Sequence, residues 1–341
     1  MGSPTVSVMT VVKGECLFLE ETIVSVLGQT FSDFEWVFIE DEIGESAKKI
    51  LLRYAASDQR IKIFNQIKAG LSSARNQAVT MSTGKYCAVA DSDDVFLPNR
   101  LEKQVDFLEN RPDISLCGAW IKTFGGKHDE VRKTPVDDAA IRASLIFNNP
   151  FAHSTVVWRR QDILHTGQQY ELDSAEDYDL WVRLSKFIHF ANLSEILVLY
   201  RIHPDQHSNF TENNGLFLNS TLLIRTRQIK ALKIEPTKQE IDTHQKISLG
   251  QLQQDDAFVK KTETWLLKLR IANQKQRLYP EPQFKQLLAS QWYWACLKAP
   301  SIQNIPTKYL SSPLNYDLDA GIPQKIRFVL RFFKILIRFV G

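Results

Sequence analysis

Short apolar runs rich in β-branched residues alternate with helix-length amphipathic segments from Thr5 to about Arg201. That alternation predicts a mostly parallel sheet with flanking crossover helices. It places strands at Val6 to Val12, Glu35 to Ile39, Ile61 to Phe64 and Tyr86 to Ala90, and helices near Leu17 to Gly28, Ser46 to Ala56 and Ser72 to Ser82. Beyond residue 113 the pattern becomes mixed. It predicts strands at Ile114 to Thr123, Ser154 to Arg159 and Ile196 to Tyr200, with helices at Asp137 to Phe147 and Ser174 to Leu184. From about Asn214 to Leu297, Leu, Lys, Gln and Ile recur at helical spacing and strand signals fade, which predicts several packed helices.

Two C-terminal segments differ from this pattern. Residues 299–324 carry Pro300, Pro306, Pro313 and Pro323 and read as a loose linker. In residues 325–341, Lys325, Arg327, Arg331, Lys334 and Arg338 stand among apolar side chains with no acid. The last four recur at helical spacing as one cationic stripe, the pattern of a helix lying in a membrane interface among anionic headgroups. A helix docked on the core with its charges in water is the alternative.

At 341 residues, 44% of them apolar and 24% charged, the chain has room for a large α/β domain and an appendage, or for two domains. Its net charge of +3, from 42 basic and 39 acidic side chains, gives no reason to expect a nucleic-acid partner. Cys16, Cys87, Cys117 and Cys296 show no paired spacing, so neither a zinc site nor a disulfide framework is expected, and a reducing compartment fits best. Met1 to Pro4 lack the positive charge of a secretory leader, and no run of eighteen apolar residues suggests a membrane span. Val6 stands where a myristoylation motif needs Ser or Thr.

Open sheets of this kind bind ligands at the carboxyl ends of their strands. The run Tyr86-Cys87-Ala88-Val89-Ala90 ends there in Asp91, Ser92, Asp93 and Asp94. Carboxylates crowded at a buried strand end repel one another and resist desolvation unless a cation sits among them. Oxygen ligands suit Mg²⁺ or Mn²⁺, which are usually held by one or two carboxylates together with substrate phosphates. A helix N-cap ahead of Pro98 is the simpler reading, but one Asp would suffice for it. After the second strand come Glu40, Asp41 and Glu42. After the third, Gly70 precedes Ser72 as a helix cap, with Arg75 in the first turn, and amides and a guanidinium together suit a phosphate. The alternative is a capped helix whose arginine pairs with a neighbouring acid.

Taken together and in order, several segments resemble the family 2 glycosyltransferases, nucleotide-sugar-dependent enzymes of the GT-A fold. They are Val6 to Thr10, Gln29 to Glu35, Gly70 to Asn76, Gly84-Lys85-Tyr86, Asp91 to Asp94, Glu176 to Trp181 and Tyr200-Arg201-Ile202-His203. The resemblance covers roughly residues 4–210. It implies a GT-A domain over residues 1–210, followed here by a helical region (211–298), the linker (299–324) and the basic amphipathic helix (325–341). It further implies that Asp91 and Asp93 form a DxD motif, with Asp93 and His203 as ligands of Mn²⁺ or Mg²⁺. Asp177 then matches the catalytic base and Glu176 its motif partner. Thr10, Val12, Glu40, Asp41, Arg75, Asp91 and Ser92 would surround the nucleotide sugar, a UDP-sugar as first choice. The implied reaction is inverting transfer to a hydroxyl of a saccharide or lipid-linked saccharide in cell-surface polysaccharide, lipopolysaccharide or glycan synthesis. It would proceed in the cytoplasm at the inner face of the membrane.

Two departures fall in the nucleotide pocket. The family often carries Pro-x-Tyr-Asn after the first strand, where this chain has Val11-Val12-Lys13-Gly14. It often carries Asp-Asp-Gly-Ser after the second, where this chain has Glu40-Asp41-Glu42-Ile43. Two other readings follow: a noncatalytic sugar-nucleotide-binding or scaffold protein, and a nucleotidyltransferase. The second would need a glycine-rich basic loop after the first strand, which this chain lacks.

Overall fold

The computed structural model describes residues 2–172, 174–204, 206, 215–299 and 305–317. The chain divides into two compact units, one comprising residues 1–141 and 149–221, the other residues 142–148 and 222–341. The expected helix over residues 325–341 lies outside the described residues.

In the first unit the strands form one nine-stranded sheet. They are β1 (Val6–Gly14), β2 (Phe34–Ile43), β3 (Ile61–Asn65), β4 (Tyr86–Val89), β5 (Val95–Phe96), β6 (Leu116–Phe124), β7 (Val131–Arg132), β8 (Val157–Arg159) and β9 (Phe190–Arg201). Their order is β3-β2-β1-β4-β8-β6-β9-β5, with β7 on β6. The half built from β3, β2, β1 and β4 is parallel, as the alternating pattern predicts. The other half is mixed: β8 runs antiparallel to β4 and β6, β5 antiparallel to β9, and β6 parallel to β9. Both faces of the parallel half are covered, so its strands read as near-continuous apolar runs. Val6, Val8, Val12, Trp36, Phe38, Tyr86 and Ala88 are almost wholly buried in one core with Leu19 and Ile23 of helix α1 (Leu19–Leu27).

The remaining helices of this unit are α2 (Glu45–Ser57), α3 (Leu71–Met81), α4 (Arg100–Asn110), α6 (Arg160–Thr166) and α7 (Glu176–Leu184), while α5 (Asp138–Ser144) carries the chain into the second unit. Four sequence expectations change here. Strand β9 begins at Phe190 rather than Ile196, because polar Asn192, Ser194 and Glu195 hide the pattern where the β6–β9 register shifts at Trp120. Residues 153–155 form a 3₁₀ turn before β8, and α5 stops at Ser144. Ser72 does not cap α3: Gly70 takes that place with φ 106°, and the Ser72 hydroxyl donates to the Leu172 carbonyl.

The described residues of the second unit are helical: α8 (Leu216–Ala231), which belongs to this unit from Leu222, α9 (Lys238–Ser248), α10 (Asp256–Gln276), α11 (Glu281–Leu297) and α12 (Ile305–Ser311), followed by a 3₁₀ turn at Pro313–Asp317. Helix α9 starts on a capping box in which Thr237 and Glu240 satisfy each other's backbone amides. Trp265, Leu269, Phe284, Leu288 and Trp292 fill the core, whereas Trp294 is 41% exposed. Within the segment read as a linker, Ile305, Tyr309 and Leu314 are buried in this same core. Pro306 and Pro313 stand at the first turns of their helical segments, where proline is compatible with helix.

Candidate active site

The site is built where β4 ends. β5 and β9 pair antiparallel with Val95 opposite Leu199, so the residues before β5 and after β9 run past each other. Arg201 donates its backbone N–H to Asp94 Oδ1 at 2.9 Å and its Nε–H to the Asp93 carbonyl at 2.9 Å. The same guanidinium lies over the rings of Phe18 and Phe124, at 4.0 and 4.4 Å, and pairs with Glu21 at 2.6 Å. This clamp fixes the Asp91–Asp94 loop, and two residues farther on His203 Nε2 reaches Asp93 Oδ2 at 3.0 Å.

β8 pairs antiparallel with β4, Ala88 opposite Val157, which sets the turn at His153 beside Asp91. His153 Nδ1 lies 3.2 and 3.3 Å from the two Asp91 oxygens, and its Nε2 is 3.1 Å from the Tyr170 hydroxyl. Beneath the loop, Arg100 is 1% exposed and donates from Nη2 to the Val89 carbonyl at 2.8 Å.

Arg75 joins two parts of the site. It pairs with Glu176 at the start of α7, lies 3.9 Å from Asp91 and sits 5.5 Å from the Tyr170 ring centre. The sequence offered Arg75 to a phosphate; the structure gives it to two acids, the alternative weighed for it. Asp177, next to Glu176, accepts from the Asn149 side-chain amide at Oδ2 (2.7 Å) and from the Tyr178 N–H at Oδ1 (2.7 Å). Ala175, just ahead of this pair, adopts φ 53°. Left-handed backbone at a residue with a Cβ is costly, and it aims Glu176 and Asp177 from the helix start.

Of the other residues expected around a nucleotide sugar, Thr10 and Val12 offer no open side chain. Thr10 is 1% exposed and its hydroxyl donates to the Ala90 carbonyl while accepting from Trp36 Nε1; Val12 lies in the core. Asp41 is paired with Lys13 at 3.0 Å, and Glu40 stands beside it, buried, at the end of β2. Ser92 faces Cys16, its Oγ 3.7 Å from Sγ.

The loop's carboxylates titrate apart. Burial pushes Asp91 up, but the His153 imidazole and then the Arg75 and Arg100 guanidiniums outweigh it and hold the carboxyl down at about 2. Asp93 is raised by burial and by the charge of Asp91, the facing His203 notwithstanding. Asp94 is raised well above its usual range by burial and by both neighbouring carboxylates. A cation near Asp93 would relieve this stress.

Asp93 Oδ2 and His203 Nε2, hydrogen-bonded to each other at 3.0 Å, are an oxygen and a nitrogen donor that could hold a divalent ion. Among the described residues no three His, Cys, Asp or Glu side chains converge on one point, so remaining ligands would come from substrate oxygens and water.

Sequence reasoning missed His153, Asn149, Tyr170 and the guanidinium of Arg201. Each reaches the site through an antiparallel register or a loop return, and only the order of the motifs hinted that they would converge.

A profile of glycosyl transferase family 2 matches residues 7–167. The chain is 35% identical over 204 residues to the O-antigen biosynthesis glycosyltransferase WbnJ of Escherichia coli, an alignment covering 58% of this chain and 80% of that one. It is 31% identical over 191 residues to the amylovoran biosynthesis glycosyltransferase AmsE of Erwinia amylovora, covering 55% and 71% respectively. Among solved structures it is similar in fold to S. aureus TarS 1-349 in complex with UDP-GlcNAc. The TM-score is 0.55 at 15% identity, over 92% of this chain and 90% of that one. The mannosyltransferase PcManGT of Pyrobaculum calidifontis, in complex with GDP-Man and Mn²⁺, gives a TM-score of 0.51 at 13% identity, over 93% and 86%.

Proposed function

This chain belongs to glycosyl transferase family 2 and is a glycosyltransferase of the GT-A fold, and from that premise we propose a divalent-metal-dependent, inverting transfer of a sugar from a nucleotide donor to an acceptor hydroxyl. The observation that carries the reading is the bridge made by Arg75. By contacting Glu176 and Asp91 together, it brings the acids of α7 and the carboxylate loop after β4 into one site. A nucleotide diphosphate at that loop would place the anomeric carbon on the side of Asp177.

Asp93 and His203 would hold the metal, which when bound supplies positive charge to the diphosphate leaving group. Asp177 accepts the proton of the acceptor hydroxyl as that oxygen attacks, and no enzyme nucleophile is needed for a single displacement with inversion. Glu176, 5% exposed and paired with Arg75, holds the helix start rather than meeting the substrate. Glu40, Asp41 and Ser92 line the nucleotide side at the ends of β2 and β4. A uridine nucleotide is the first choice of donor, supported by the fold shared with a protein that binds UDP-GlcNAc. Fold similarity to a protein that binds GDP-Man makes GDP the alternative. The O-antigen and amylovoran relatives support an acceptor in cell-surface polysaccharide synthesis.

Among the described residues no helix is long and apolar enough to cross a membrane. The basic segment 325–341 would instead hold the enzyme at an anionic membrane surface, near a lipid-linked acceptor. The test of the chemistry is nucleoside diphosphate release from a panel of UDP- and GDP-sugars. Asp177→Asn should slow it by about 10²- to 10⁴-fold with donor binding retained. Wild-type turnover in that variant would refute the base assignment.

A further inference from the structure

Among the described residues, Asn149 is the side chain that donates to the Asp177 carboxylate, and the structure shows how its amide is held. Its Oδ1 accepts the Phe151 N–H at 3.1 Å, which leaves Nδ2 to donate to Asp177 Oδ2 at 2.7 Å. The amide therefore has one orientation: turning it over would set N–H against N–H and oxygen against carboxylate. Pro150, which follows, restrains Asn149 to extended backbone, and the Pro150 carbonyl accepts from Asn192 Nδ2 at 3.2 Å.

The next residue ties this segment to the helix of the base. Phe151, 4% exposed, packs edge-on against Trp181 of α7 at 5.8 Å and against Phe190 of β9 at 5.6 Å. It lies over Gly118 of β6, where an added Cβ would come within 2.7 Å of its ring and 2.2 Å of Asn192 Oδ1. Asn149 and Asp177 are thus mounted on one packed assembly of β6, β9 and α7.

We propose that Asn149 is a positioning residue for the transfer reaction, holding the Asp177 carboxylate in the rotamer from which it accepts the acceptor's proton. The inference rests on the reading of Asp177 as the base. With Oδ2 engaged by Asn149 and Oδ1 by the Tyr178 N–H, the carboxylate is held at both oxygens, and each keeps lone-pair capacity for an incoming hydroxyl. A carboxylate without the amide would rotate about its side-chain torsions and spend part of its time away from the acceptor. A misplacement of about 1 Å at a reacting group can cost about 10²-fold in rate.

The experiment has two arms on the full-length protein. In the first, selective ¹⁵N labelling of asparagine follows the Asn149 side-chain amide in wild type and in Asp177→Ala. A displaced resonance is expected, and an unmoved one overturns the contact. In the second, nucleoside diphosphate release from UDP-N-acetylglucosamine and from GDP-mannose, with water as acceptor, is measured for wild type, Asn149→Ala, Asp177→Asn and the double variant. Asn149→Ala should lower kcat by about 10- to 100-fold while leaving KM and nucleotide affinity within about twofold. The double variant should be no slower than Asp177→Asn alone, because the amide acts only through the carboxylate. Retained nucleotide binding and an unchanged melting temperature show that Asn149→Ala has folded; Asn149→Ser serves if it has not.

Wild-type kcat in Asn149→Ala beside a disabled Asp177→Asn overturns the proposal and spares the base. Additive losses in the double variant also overturn it. Wild-type kcat in Asp177→Asn, or no release by the wild type from either donor, overturns the reading on which the proposal rests.

Discussion

Lowering the pH from 8 to 5 should destabilise the helical unit through one residue, His244. The ring is 1% exposed, stacked 4.5 Å from Phe147. Its Nε2 donates to the Ile146 carbonyl at 3.0 Å, and its Nδ1 accepts from Trp265 Nε1 at 3.1 Å. That pair of bonds requires the neutral tautomer, since a proton on Nδ1 would face the indole N–H. Burial drives the ring's pKa down to about 3, and the Arg225 guanidinium adds to the fall, against the raising effect of the Ile146 carbonyl. The folded pKa lies below the unfolded one, so the unfolded chain binds the extra proton. Stability is complete above about 6.5 and is lost as pH falls from there toward about 3. With those two values, the loss at pH 5 relative to pH 8 is about 2 kcal/mol. Urea denaturation followed by tryptophan fluorescence at both pH values measures it. His244→Gln retains a donor and an acceptor but cannot titrate, so its stability should change by about 2 kcal/mol less than wild type over that interval. Equal pH dependence in the two proteins would refute the argument, because every other titrating group is common to both.

Arg75→Met should strand the buried carboxylate of Glu176 and cost about 3–5 kcal/mol of stability, read as a fall in the denaturation midpoint; a change below about 1 kcal/mol would mean that the pair is not the tie described. Ala175→Gly removes a Cβ from left-handed backbone and should raise stability by up to about 1 kcal/mol while lowering turnover, as the helix start loosens; a lower melting temperature would contradict the strain assigned there. Deleting residues 325–341 should move the protein from anionic vesicles into the supernatant of a sedimentation assay without abolishing nucleoside diphosphate release; unchanged partition would remove the anchoring role.

The sequence was most legible where one local pattern decides one element. Val6 to Val12 and Tyr86 to Ala90 read as buried strands because both faces of the parallel half are covered, and the observed strands differ only at their ends. Asp91 to Asp94 stood out by residue type and place at a strand end, Glu176-Asp177 and His203 by the family resemblance alone, and the structure brings Asp93 to His203 and ties Glu176 to the Asp91 loop through Arg75. What the chain concealed depends on long-range register. His153 meets Asp91 only because β8 lies antiparallel to β4, and Asn149 meets Asp177 only because the Asn149–Phe151 segment folds back over Gly118. Thr10, which the family resemblance set beside the nucleotide sugar, uses its hydroxyl within the protein, between Ala90 and Trp36. The prolines near the C-terminus suggested loose chain, but position within a helix decides their effect, and those at 306 and 313 fall at first turns.

The most direct test of the donor site is calorimetric titration of the purified protein with UDP, GDP and CDP, each with Mn²⁺ and with EDTA, beside an Asp93→Ala variant. One nucleoside diphosphate, UDP as first choice, should bind more tightly with Mn²⁺ than with EDTA, and Asp93→Ala should remove the difference. Nucleotide binding indifferent to both Mn²⁺ and Asp93 would contradict the metal-dependent site, and no binding of any of the three would contradict the donor reading itself.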